Sequence, residues 1–304
     1  MQKVSFPLKY LGSTFTPGCI HISDFDNIVN KILRRVLDCK NQFLSFCGRI
    51  SLINSVLTAI PIHVLSACNV QKGVILSIDK VLADFIWDAH LEGKCYWASW
   101  ELVARPYQEG GANIRSLGDT IHCLHVKLAW EVVGGCTLWG RIMALQDNIY
   151  REDSRCVSPF WALIHNFLPI IHQHSHWIIG RGYLSFWKCN WDGSVIGFPS
   201  CPTPMISFRE SCSYPMFIND VLDKEQRNTF YLIEMNMDPD RCVFTTSKYG
   251  MFPSKEFWNI SIYQAQHDSW NDMVWCKSIP TKFNFLVWRI RNQAISTYEN
   301  VKRR

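Results

Sequence analysis

Three histidines at alternate positions, His172, His174 and His176, make the pattern in this sequence best suited to a metal. Alternate residues of an extended strand share one face, and neutral imidazoles are good zinc ligands. No fourth ligand is evident. The plainer reading is a polar surface stretch leading into a strand, so no metal site is assigned and no cofactor is expected. His122 and His125, three apart on an expected helix, make a weaker pair.

Other chemistries lack their residues. A two-metal polymerase centre needs carboxylates converging on cations about 3.5–4 Å apart. The chain has no adjacent Asp-Asp pair, and Asp84, Asp88 and Asp192 stand alone. It has no Gly-x-Ser-x-Gly, no Walker loop and no His-Glu-x-x-His. Its only Gly-x-Gly, Gly180-Arg181-Gly182, lacks the rest of a dinucleotide fingerprint. Gly110-Gly111 reads as a turn. No catalytic residue is expected.

Composition sets the frame for any function. The chain has 304 residues, 48% hydrophobic and only 19% charged, enough to bury a sizeable core and unlike a disordered chain. Its 13 cysteines are widely spaced with no Cys-x-x-Cys, and no secretory signal opens the sequence. Reduced cysteines in an intracellular protein fit that usage. The net charge is +5, an excess matched by the segment holding Lys282, Arg289, Arg291, Lys302, Arg303 and Arg304 against Glu299 alone. From Ile50 to Gln71 there is no Lys, Arg, Asp or Glu. Ser51, Asn54, Ser55, Thr58 and His63 within it argue against a membrane span and for a buried helix interrupted near Pro61.

The elements that position these residues are mostly helical. Ser23 and Asp26 have the spacing of a capping box. Around them Ile22, Phe25, Val29, Ile32, Leu33 and Val36 recur at helical spacing, leaving Lys31, Arg34, Arg35 and Lys40 on a basic outer side. A second helix is expected over 44–60, and a third carries Val74, Ile78, Val81, Leu82 and Phe85. A Trp-rich passage follows, then helices near 119–133 and from Ser158-Pro159 to Phe167. Two short strands, 177–180 and 183–187, are expected around Gly180-Arg181-Gly182. Residues 192–216 read as a linker, 240–258 as a hairpin, and the chain turns helical again after Pro280. The fold class expected is α+β, mostly α: an N-terminal helical bundle, an irregular region with short antiparallel strands, and a C-terminal helix.

The sequence from Leu44-Ser45-Phe46-Cys47-Gly48-Arg49-Ile50 to Leu57, with Ala59-Ile60-Pro61-Ile62, resembles a block of plant LINE-type (non-LTR) retrotransposon reverse transcriptases. Tyr10-Leu11-Gly12 matches the element before that block. Phe85-Ile86-Trp87, Trp97 to Trp100, Pro106, Gly110-Gly111, Lys127-Leu128-Ala129-Trp130 and Leu138-Trp139 follow in the family's order. Trp177 to Gly182, Phe186-Trp187 and Trp191 continue it. The end, Ile279-Pro280-Thr281-Lys282-Phe283 through Trp288-Arg289 to Arg303-Arg304, resembles the start of the family's zinc-binding region.

The resemblance implies the region after the palm, up to the start of the zinc-binding domain. In the family the Asp-Asp motif precedes the Tyr-Leu-Gly element, and the Cys and His zinc ligands follow the Arg-Arg. The expectation is therefore a non-catalytic fragment without palm or zinc ligands. Arg181 stands where the family usually has an acidic or polar residue, and Cys189 where it often has Asp. The resemblance divides the chain into a thumb-like helical region, 1–105, a helical Trp-rich connector, 106–200, and a linker with the truncated start of the zinc-binding region, 201–304. A thumb would grip a template-primer through phosphates, which nominates Lys31, Arg34, Arg35, Lys40 and Arg49 as contacts to RNA or DNA. A solvated basic face is the other reading of the same residues. The alternative function is a host-retained nucleic-acid-binding module derived from the element. No membrane partner is expected.

Overall fold

A computed structural model describes residues 8–10, 13–15, 20–40, 44–87, 96–135, 137–150, 158–187, 189–193, 206–245, 247, 250–252 and 269–295. The fold is mostly α with short antiparallel strand pairs, the α+β class expected. Contacts gather the chain into two compact units, residues 1–122 with 262–304, and residues 123–261. This grouping is made in space, whereas the segments 1–105, 106–200 and 201–304 divide the chain along its length.

In the first unit β1 (Leu8–Tyr10) pairs antiparallel with β2 (Ser13–Phe15). Helix α1 (Asp26–Lys40) follows a short 3-10 turn, Ile22–Phe25. The capping box sits two residues earlier than the sequence suggests: the His21 N–H donates to the Asp24 carboxylate at 2.8 Å. The 3-10 turn ahead of α1 takes the N-terminal cap, which frees Ser23 and Asp26 from that role. On α1 the residues Ile28, Ile32, Val36 and Cys39 are buried.

The second expected helix is longer and does not break at Pro61. It runs through α2 (Phe46–Leu52), a π turn (Ile53–Leu57) and α3 (Ala59–Leu65). Proline lacks an N–H and its ring crowds the carbonyl four residues back, here Leu57. The π turn directly before it widens the helix, and the Thr58 N–H donates to Ile53 O at 3.1 Å, five residues back. Residues Phe46–Leu65 are long and apolar enough to cross a bilayer by length and composition. In the fold Ile50, Ile53, Leu57, Val64 and Leu65 are buried, while Ser51, Ser55, Ala59 and His63, four apart, are exposed. That is the pattern of a core helix with one side in water.

Helix α4 (Lys72–Trp87) buries Val74, Ile78, Leu82 and Phe85, as its spacing predicts. After α5 (Trp100–Ala104) the chain turns through Gly110, at φ 78°, and Gly111, where an added Cβ would stand 2.0 Å from Arg105 O. Only glycine fits that approach. Against this turn pack α13 (Ser269–Val274) and α14 (Thr281–Arg291), whose Val274, Phe285 and Trp288, with Ala294 just past α14, join the core formed by Phe46, Trp87 and their neighbours.

Helix α6 (Leu117–Gly134) contains the boundary between the units. The second unit continues with α7 (Leu138–Tyr150), α8 (Pro159–His165) and α9 (Leu168–Gln173). Ser158 caps α8 as expected, accepting the Trp161 N–H at 3.1 Å. The expected hairpin around Gly180-Arg181-Gly182 does not form. Strand β3 (Ser175–Ile178) pairs antiparallel with the distant β4 (Arg241–Phe244), Ser175 opposite Phe244. Residues 183–187 make only the bridge Ser185–Ser207. Leu184, Phe186, Trp187 and Trp191 turn into a core with Phe208, Ile218, Leu222 and Phe230. The expected linker 192–216 carries α10 (Phe208–Ser211) and the start of α11 (Pro215–Val221), and α12 (Lys224–Leu232) follows. A Ser207–Glu210 capping box opens α10, a Ser-x-x-Glu signal visible in the sequence beneath the Pro and Ser content. Of the expected 240–258 hairpin, the first arm is β4, and Phe244 N–H donates to Gly250 O at 3.0 Å; 253–258 lie outside the described residues.

Candidate nucleic-acid interface

Helix α1 has one side in the core and the other in solvent. Lys31, Arg34 and Arg35 are exposed on the solvent side, with Asp38 exposed beside them. The helix period places 31, 34, 35 and 38 on one stripe. Three cations and one carboxylate leave that stripe positive. Lys40 is the last residue of α1, and its side chain lies outside the described residues.

Arg49 is placed differently from these. Its Nη1 donates to Phe85 O at 3.2 Å and Ile86 O at 3.3 Å, and its guanidinium lies 5.9 Å from the Phe85 ring centroid. Those carbonyls end α4, where a helix carries partial negative charge. Arg49 is thus turned inward as a cap on α4, and sequence spacing alone gave no sign of it.

The three histidines do not share a strand face. His172 lies in the last turn of α9, His174 ends that helix, and only His176 is in β3. Burial lowers the His172 pKa, which favours its neutral form. His174 stacks on Phe244 with centroids 6.1 Å apart. Among the described residues no three of His, Cys, Asp or Glu come together to hold a metal. Burial also lowers His122, against the opposing pull of Asp119. His125 is buried edge-on to Phe160.

Gly180-Arg181-Gly182 does bind an anion, but one supplied by the chain. The Asp240 carboxylate accepts the N–H groups of Gly180 and Gly182 on Oδ1, at 2.7 and 2.8 Å, and those of Tyr183 and Leu184 on Oδ2, at 2.7 and 3.1 Å. Consecutive N–H groups around a left-handed glycine, here Gly182 at φ 74°, form a nest for negative charge. Asp240 fills it, so this loop is a structural clamp.

A second polar cluster ties the C-terminal helices to the Gly110 turn. Trp288 Nε1–H donates to Gly110 O at 2.7 Å, and Asn271 Nδ2–H to Gln108 O at 2.8 Å. Arg291 Nη1 donates to Asn271 Oδ1 at 3.1 Å. Arg289 Nε donates to Ala294 O at 2.9 Å, and burial lowers its pKa. The sequence shows these as a basic C-terminal stretch; two of its arginines are engaged within the unit.

Comparison with known proteins adds to this geometry. Residues 252–304 match the family described as zinc-binding in reverse transcriptase. An Arabidopsis thaliana protein, provisionally named a ribonuclease H protein, is 23% identical over 319 residues, covering 94% of this chain and 51% of that protein. The chain thus spans about half the length of this curated relative. No solved structure matches it significantly. These similarities mark the chain as reverse-transcriptase-related.

Proposed function

We propose that this chain is a non-catalytic part of a LINE-type plant retrotransposon reverse transcriptase, and that it holds nucleic acid through the phosphates along α1. The observation that carries this reading is the exposed row Lys31, Arg34 and Arg35 on a helix whose opposite side is locked in the core. A rigid helix presenting cations at fixed spacing meets a phosphate backbone without reading bases. The match of 252–304 to a reverse-transcriptase zinc-binding family supports the setting. The absence of an adjacent Asp-Asp pair in these 304 residues supports the lack of polymerase chemistry in this chain. Arg49 is assigned to holding α4, and the proposed contact set is Lys31, Arg34 and Arg35.

The test is binding of the purified chain to a labelled RNA–DNA hybrid across a salt series. Each phosphate neutralised adds about −0.9 to the slope of log K against log salt on a B-form duplex. The triple variant Lys31→Ala, Arg34→Ala, Arg35→Ala is expected to lower affinity at low salt and reduce the slope by about 2–3. An unchanged slope in the folded triple variant refutes the α1 contact.

A further inference from the structure

The C-terminal helices present an apolar stripe to solvent. On α14, Phe283, Leu286, Val287 and Ile290 stand at i, i+3, i+4 and i+7, between 40% and 58% exposed. Trp270 and Met273 of α13 are also exposed, 43% and 64%. The opposite side of α14 is committed to the core through Phe285 and Trp288. Isolated exposed apolar residues are ordinary, but a helical row of four beside a Trp and a Met has the composition of a protein interface.

Cations outnumber acids along the described segment that carries this stripe, and Lys277, Lys282 and Arg291 are exposed there. Among residues 269–295 the cations are Lys277, Lys282, Arg289 and Arg291, and the only acid is Asp272. Lys282 Nζ lies 4.9 Å from the Phe283 centroid, and the Arg291 guanidinium 5.7 Å from that of Trp270. Cations laid over exposed aromatic rings leave positive charge at the edge of the apolar surface.

We propose that this face docks an amphipathic helix from a protein partner, apolar along one side and flanked by Asp or Glu. The i, i+3, i+4, i+7 row is the ridge that one helix offers another. Acidic flanks complement the Lys277, Lys282 and Arg291 edge, set the orientation and speed the encounter. A second copy of the same face would set like charges together, which disfavours self-pairing. The aliphatic run Leu286, Val287 and Ile290 sets the stripe apart from the α1 row, while the rings of Phe283 and Trp270 at its edge lie beneath Lys282 and Arg291. The inference stands independently of the nucleic-acid reading.

The experiment uses the full chain and a fluorescein-labelled synthetic peptide with leucines at that helical spacing and glutamates on its flanks. A control peptide carries lysines in place of the glutamates. Fluorescence anisotropy is expected to show the acidic peptide binding at least about tenfold more tightly than the basic one, the size of a few rim charge contacts, since the leucines are common to both. The double variant Leu286→Glu, Ile290→Glu is expected to abolish that binding while leaving hybrid binding by α1 unchanged. Lys277→Glu with Lys282→Glu, which touches no core residue, is expected to erase the preference for the acidic peptide. Equal binding of both peptides, or full binding by the Leu286→Glu, Ile290→Glu variant, overturns the proposal. So does self-association in sedimentation that this variant abolishes, which gives the face to a second copy. Capture of the chain by anionic vesicles in place of the acidic peptide also overturns it.

Discussion

Replacing Asp240 tests whether the Gly180–Leu184 loop is held by an internal anion. The carboxylate accepts four backbone N–H groups at 2.7–3.1 Å. Removing it leaves all four donors without that partner. The Tyr183 N–H is exposed and can turn to water, whereas those of Gly180, Gly182 and Leu184 are partly shielded. At about 1 kcal/mol for each shielded donor, Asp240→Ala should cost the second unit about 3 kcal/mol. Asp240→Asn should cost nearly as much, about 2 kcal/mol, because an amide offers one acceptor oxygen and turns an NH2 toward two donors. Urea unfolding of the full chain measures the loss. Hydrogen exchange at Gly180, Gly182, Tyr183 and Leu184 localises it, with all four amides exchanging faster in both variants. A change within about 0.5 kcal/mol, as for an ordinary surface site, with protection of the four amides intact, refutes the clamp.

Other predictions follow from single contacts. Asp79, half-buried with one carboxylate oxygen unpartnered, has its pKa pushed up to about 6 by burial, opposed by a hydrogen bond from Trp100 and assisted by Asp119. A folded pKa above the unfolded value favours the protonated form. This contribution to stability is therefore full below about pH 4 and is lost as pH rises through about 6. Asp79→Asn should flatten that window and, after allowance for solvent screening, stabilise the chain at pH 7 by about 1–2 kcal/mol, read from urea unfolding at pH 4.5 and 7. Gly111→Ala brings a Cβ to 2.0 Å from Arg105 O, a clash with backbone that must displace the turn; a loss of at least about 3 kcal/mol is expected in thermal or urea unfolding, against less than about 1 kcal/mol if the turn simply shifts. Arg49→Ala should cost about 2 kcal/mol through the two α4 carbonyls and the Phe85 packing, yet leave the salt dependence of hybrid binding unchanged. A reduced slope in that variant would return Arg49 to the nucleic-acid contact.

The helices were readable because their burial follows a local period. Val74, Ile78, Leu82 and Phe85 repeat at the spacing of one helix side, and the same residues are buried. Ser158-Pro159 fixed a helix start by an interaction three residues long. Gly110-Gly111 was legible as a turn, since both its left-handed glycine and its close approach demand the residue type. The basic side of α1 was equally legible, because polar residues off an apolar stripe have nowhere else to go.

Other features depended on partners distant in sequence. β3 pairs with β4, more than sixty residues on, and no short-range signal names that partner. The same separation hid the role of Gly180-Arg181-Gly182, whose bound anion is Asp240. His172, His174 and His176 looked like a strand face because alternation is a strand period, but α9 runs through His172 before β3 begins. Arg49 shares its charge with Lys31, Arg34 and Arg35, and only the position of the α4 terminus turns it inward. By itself the sequence determined helices such as α1, α4 and α8 and where charge lies along them, since those follow from local period and residue type. The tertiary structure alone decided which cations are spent inside, which anion fills the glycine nest and which apolar stripe stays uncovered, because each depends on contacts between residues far apart in the chain.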